Sequence, residues 1–125
     1  MMEGAVVVGL DGEPLYWHMP PGRSTVALPD SRDLWEVLWE HRENLLGVAH
    51  SHPGAGLSGP SQTDVTTFAA VESALGRRLT WWITSLDKLV VLRWAGPEPL
   101  RYTMQEVQDE TQASRWLDEL RSISY

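Results

Sequence analysis

Apolar residues recur along this chain in two rhythms, one suited to strands and one to helices. Ala5-Val6-Val7-Val8-Gly9-Leu10 is a β-branched run that reads as a strand. Asp11-Gly12 is a hairpin turn signal, after which Leu15-Tyr16-Trp17-His18 pairs back. Pro20-Pro21-Gly22 breaks that strand, and Ser24 to Leu28 reads as a third, short one. Pro29-Asp30-Ser31 then has the form of a helix start, with Asp30 or Ser31 as the cap. Leu34, Val37, Leu38, His41 and Leu45 follow at helical spacing, and Trp35 and Trp39 widen that face. The helix is expected to end near Asn44.

Leu45 to Ala49 is a short apolar run of the kind found in buried strands. Pro53 has no N–H and a fixed φ, so the ladder stops there. The glycine-rich stretch from Gly54 to Pro60 can turn sharply. Ser61 to Leu75 reads as a helix closed by Gly76. Asp64, Phe68, Val71 and Leu75 share one face of it, so Asp64 is expected to look inward with the apolar three. Leu79 to Ser85 and Leu89 to Trp94 read as strands joined by Leu86-Asp87-Lys88. Adjacent Trp81 and Trp82 must point to opposite sides, so one of them is expected to leave the core. Gly96-Pro97-Glu98-Pro99 is a break, Leu100 to Met104 a short strand, and Gln105 to about Ser122 a closing helix. Val107, Leu117 and Leu120 would form its inner side. The sum is an α/β chain, a sheet with two or three helices, in a single domain spanning 1–125.

Composition narrows the function. Hydrophobic residues at 42% and charged residues at 22% describe a globular chain with a real core. A net charge of −7 lacks the basic stripe of a nucleic-acid binder. There is no apolar run of about 18 residues for a membrane span. The first ten residues carry no basic stretch of a secretory signal, so a cytoplasmic location is expected. With no cysteine, disulfides, Cys-based zinc sites and a thiol nucleophile are excluded.

The chemistry gathers in one place. His50 and His52 are two apart at the end of a strand, so both imidazoles emerge on the same side. Asp64 in the first turn of the next helix is a third ligand. Three protein ligands leave one position of a tetrahedral zinc open, as in catalytic sites. The metal would bring its bound water to a pKa of about 7. Iron also accepts two histidines and a carboxylate. Ser61-x-x-Asp64 is equally a capping-box pattern, and the two uses are compatible: a helix N-terminus keeps the carboxylate ionised. Ser51 points away from the histidines and reads as structural; the part played by Ser58 is open. His18 and His41 read as packing or surface residues, Glu36 and Glu40 as surface charges.

His50-Ser51-His52-Pro53, seven residues, then Ser61-Gln62-Thr63-Asp64 resembles the signature of the JAMM (MPN+) zinc metalloproteases at every position. That pattern is His-Ser/Thr-His-Pro, seven residues, then Ser-x-x-Asp. The resemblance implies a mixed, curved sheet flanked by helices, the cytidine deaminase-like JAMM/MPN fold. It implies Zn2+ held by His50, His52 and Asp64. It implies that Ser61 donates a hydrogen bond to the oxyanion. The acid–base of the family is a Glu just before the first core strand; Glu3 occupies that place, and Glu13 in the hairpin turn is its rival. The implied reaction is hydrolysis of the amide after the C-terminal tail of ubiquitin or a ubiquitin-like protein. Such a tail is extended and suits a groove beside a sheet edge. Members specialised for polyubiquitin carry insertions, one of which can hold a second zinc. This chain is too short and has no cysteine for that. A minimal prokaryotic-type enzyme acting on a ubiquitin-like or sulfur-carrier-like protein is therefore expected. A non-catalytic scaffold of the same fold, or another metal-dependent hydrolase or iron oxygenase, are the other classes.

Overall fold

In sequence order the elements are β1 (Ala5–Gly9), β2 (Pro14–His18), α1 (Arg32–Glu40), β3 (Leu45–Ser51), α2 (Gln62–Leu75), β4 (Thr80–Thr84), β5 (Leu89–Gly96), β6 (Arg101–Glu106), a 3₁₀ turn (Glu110–Ala113) and α3 (Leu117–Ser124). They come from a computed structural model that describes residues 2–23, 32–96 and 101–125. The expected strand at Ser24 to Leu28, the caps Asp30 and Ser31, and the break after Gly96 lie outside the described residues.

The strands form one mixed sheet in the order β2-β1-β3-β4-β5-β6. Among the described residues only β3 and β4 run parallel, with α2 as the crossover between them; the other neighbours are antiparallel. Alternation along β1 and β3 sends residues to two cores. Ala5, Val7 and Val48 join Leu38 of α1 and Phe68 and Val71 of α2 on one face. Val6, Val8 and Ala49 join Trp116, Leu117 and Leu120 on the other. Covered on both faces, β1 and β3 need apolar residues at successive positions, hence the unbroken Val6-Val7-Val8 run.

The two adjacent tryptophans follow the same rule. Trp81 stacks on Phe68 with ring centroids 4.2 Å apart, whereas Trp82 lies against Trp116 at 5.2 Å. Trp82 leaves the first core, as expected, but enters the second. On α1 the inward face is Leu34, Val37 and Leu38. Trp39 is more than half exposed, with the Arg42 guanidinium 4.1 Å over its ring.

The closing helix is shorter than its sequence predicts. Gln105 and Glu106 belong to β6, opposite Val91 and Val90, and Val107 N–H continues the pairing to the Leu89 carbonyl. The Asp109 carboxylate accepts from Thr111 N–H at 3.0 Å and starts the 3₁₀ turn. Ladder bonds to an apolar neighbour strand, followed by a side chain competing for backbone N–H, delay the helix to Leu117.

A buried carboxylate fixes α2 to the sheet. Glu72, 2% exposed, accepts from Leu79 N–H at 2.8 Å, Trp81 Nε1–H at 3.0 Å and Arg78 Nη1 at 3.1 Å, and from the Tyr102 hydroxyl. Each donor offsets part of the cost of burying the charge.

Where β3 meets β4 the backbones nearly touch. A Cβ on Gly47 would lie 1.6 Å from the Thr80 carbonyl oxygen. Gly47→Ala must therefore spread the parallel pair and is expected to destabilise the fold by about 1–3 kcal/mol. Urea denaturation would show this as a lower midpoint, and an unchanged midpoint would contradict the close approach.

Candidate metal centre

The site begins with strand register. Ala5 of β1 faces His50 of β3. His50 is buried, with its ring 6.1 Å from that of Phe68. Beyond the end of β3, His52 N–H still bonds the Thr84 carbonyl at 2.9 Å. The backbone therefore stays extended through residue 52, and both imidazoles emerge on the α2 side. Pro53 follows, and Gly54 and Gly56, at φ 132° and 86°, take conformations that a residue with a Cβ rarely adopts. The β4–β5 turn braces this loop: Leu86 N–H bonds the Gly54 carbonyl, and Asp87 Oδ1 accepts from Gly56 N–H, both at 2.8 Å.

At the start of α2 a capping box forms as expected. Ser61 Oγ accepts from Asp64 N–H at 3.0 Å, and Asp64 Oδ2 accepts from Ser61 N–H at 2.9 Å. The box holds the carboxylate turned back toward the end of β3.

Three ligand-type atoms meet there. His50 Nε2 and His52 Nε2 are 3.0 Å apart, and Asp64 Oδ2 lies 3.1 Å from the second and 3.4 Å from the first. Ligands about 2.0–2.1 Å from one tetrahedral ion stand about 3.3 Å from each other. The triangle and its donor set, two nitrogens and one oxygen, fit a zinc-sized cation.

The ring orientation of His52 is set from behind. Its Nδ1 is 2.8 Å from Ser58 Oγ. A proton on Nδ1 donated to that hydroxyl leaves the Nε2 lone pair facing Asp64. Ser58→Ala is expected to weaken zinc binding roughly tenfold, measured by competition with a chromophoric chelator. Nothing in the sequence marks Ser58 apart from its place in the loop.

Burial alone would raise the Asp64 pKa. Hydrogen bonds with His50 and His52, the charge of His50 and the Ser61 N–H outweigh it and hold the carboxyl far below the usual carboxylate range.

Glu3 completes the group. It precedes β1 in the chain direction that runs past His52, and alternation from Ala5 turns it to the histidine side. Glu3 is buried, and it, His50 and His52 bring one ligand atom each to within 4.8 Å of one another. Two acids therefore flank one histidine pair. Asp64 makes the direct contacts with the ring nitrogens. Burial pushes the Glu3 carboxyl up, and the two histidines pull it partly back.

The rival acid is elsewhere. Glu13 lies in the β1–β2 hairpin, at the opposite end of β1, and pairs with Arg115 at 2.6 Å. Glu36 pairs with Arg32 on the exposed side of α1, and Glu40 is exposed. His18 is buried on β2, opposite Ala5, and His41 is half-buried after α1. Ser51 is buried on the far face, as its alternation from the histidines requires.

Residues 4–99 match the family described as prokaryotic homologs of the JAB domain. The chain belongs to this JAB family. No curated protein matches the sequence. The mixed sheet, with six strands and three flanking helices among the described residues, has the fold of JAB domains. JAB domains include hydrolases and can bind zinc. The JAB match spans β1 to β5 and the histidine pair; β6, the 3₁₀ turn and α3 lie beyond it. Among the described residues, no helix is long and apolar enough to cross a membrane.

Proposed function

We propose that this JAB domain is a zinc-dependent peptidase or isopeptidase that hydrolyses the amide bond after the C-terminal tail of a ubiquitin-like or sulfur-carrier-like protein. The observation that carries this reading is the convergence of His50 Nε2, His52 Nε2 and Asp64 Oδ2 within 3.4 Å, with a buried Glu3 beside them. A scaffold domain has no need of such a set, because buried ionisable groups without a partner or task are costly.

When bound, zinc supplies a Lewis acid for the amide carbonyl and makes water nucleophilic near neutral pH. His50, His52 and Asp64 would hold it. Glu3 takes the proton of the attacking water and passes it to the leaving amine. Burial raises its carboxyl above the ordinary value, which favours its taking up a proton. Ser61 Oγ accepts from Asp64 N–H with a lone pair, so its own proton is free to donate to the developing oxyanion. The extended tail would add along a sheet edge, where backbone groups recognise backbone groups.

The test is incubation of zinc-loaded protein with linear fusions of ubiquitin-like proteins. Cleavage directly after the ubiquitin-like tail is expected. Intact fusions in the presence of bound zinc would favour the scaffold, and iron in the purified protein would favour a different metal-dependent enzyme.

A further inference from the structure

Glu3 lies outside β1, whose pairing with β3 ends at Ala5 opposite His50. One more bond, from Ser51 N–H to the Gly4 carbonyl at 3.0 Å, carries the pairing to the residue beside Glu3 but not to Glu3 itself. We propose that the last turn of α3 is a clamp for the site, with Ser124 positioning Glu3 and Tyr125 positioning His52. Its catalytic half rests on the peptidase reading above.

Both neighbours of Glu3 are tied to this turn. Met2 N–H donates to the Ser124 carbonyl at 3.0 Å. Gly4 N–H donates to Ser51 Oγ at 2.9 Å, and Ser51 Oγ is hydrogen-bonded to Ser124 Oγ at 2.7 Å. Both hydroxyls are at most 1% exposed, so water offers them no alternative partner. Arg23 adds a bridge: its Nη1 donates to the Glu3 carbonyl at 3.4 Å and its Nη2 to the Ile123 carbonyl at 3.2 Å. Gly4 permits this closeness, since a Cβ there would lie 3.0 Å from Arg23 Nη1 and 3.7 Å from Ser124 Oγ.

The next residue reaches the other side of the site. Tyr125 OH donates to the His52 carbonyl at 2.7 Å. Two consecutive residues thus fix the backbone of the acid and the backbone of a candidate ligand. Catalytic groups need placement within about 0.5 Å, and Glu3 and His52 lie just past the ends of β1 and β3, where Ser51 N–H to the Gly4 carbonyl at 3.0 Å is the last bond of their shared ladder. This clamp lies beyond residue 99, outside the stretch that matches the family. Ser51, read from sequence as merely structural, is its link between the histidines.

The experiment uses the full chain and the variants Tyr125→Phe, Ser124→Ala and Ser124→Thr. Zinc affinity is read by chelator competition, and kcat and KM with a ubiquitin-like fusion. Tyr125→Phe is expected to bind zinc roughly tenfold more weakly with unchanged circular dichroism. Ser124→Ala is expected to lose roughly tenfold in kcat at unchanged KM and zinc affinity, and Ser124→Thr, which keeps the hydroxyl, to regain it. Should Ser124→Ala fail to fold, Arg23→Gln cuts the neighbouring bridge from a half-buried position and should lower kcat likewise. Wild-type zinc affinity in Tyr125→Phe, or wild-type kcat in the folded variant of the other arm, overturns the clamp. If the wild type cleaves no fusion, the peptidase reading fails, and Tyr125→Phe decides the clamp on zinc alone.

Discussion

His52→Ala is expected to abolish both zinc retention and cleavage. His52 Nε2 is the vertex common to the two shortest contacts of the site, 3.0 Å to His50 and 3.1 Å to Asp64. Without it, one nitrogen and one oxygen remain, too few to compete with water for the ion. The loss has a signature independent of any substrate. A ligand that binds only the folded state stabilises it by about 2.7 kcal/mol at a hundredfold excess over Kd. Wild-type protein should therefore melt at a higher temperature with zinc than after chelation, and His52→Ala should melt at the same temperature in both. Because the ring is part-exposed and lies past the end of β3, the metal-free variant should fold like the metal-free wild type. A zinc-dependent rise in the variant's melting temperature would contradict the proposed ligand set.

Glu3→Gln separates chemistry from binding. The amide has the shape of the carboxylate but cannot take a proton. Cleavage is expected to fall by about 10²–10⁴-fold, the usual contribution of a general base, while zinc affinity stays within a few-fold of wild type. Glu13→Gln serves as the control. Its ion pair with Arg115 lies at the hairpin end of β1, and its loss should leave turnover unchanged. Full activity in Glu3→Gln together with none in His52→Ala would keep the metal and dismiss this acid as the base.

Most elements were legible because their apolar patterns are local. The Val6-Val7-Val8 run, the Leu45 to Ala49 run and the α2 stripe of Phe68 and Val71 each answer to one period, and they form as read. The juxtaposition of His50, His52 and Asp64 was legible for a different reason: two ligands on one strand and one on the following helix need only a short loop to meet. What local pattern cannot express is pairing between distant segments. Gln105 and Glu106 look helical until β5 offers them a ladder. Glu72 falls on the inner face of α2, four residues after Phe68, but its donors Leu79, Trp81 and Tyr102 come from other segments. Trp82 looks surplus until Trp116 arrives on the second face. Ser58 and Tyr125 belong to the same group, since each reaches His52 through the fold rather than through neighbouring sequence.

The parallel pairing of β3 with β4 carries a consequence for how the molecule assembles. Strands that run the same way cannot be joined by a tight turn, so the glycine loop and all of α2 must be traversed before Gly47 can settle against Thr80. Such non-local closure is slow, because its entropic cost falls before its contacts form. An ion gripping the exit of one strand and the entrance of the helix would shorten the search, so the centre proposed for the chemistry would also be a nucleus around which the chain condenses.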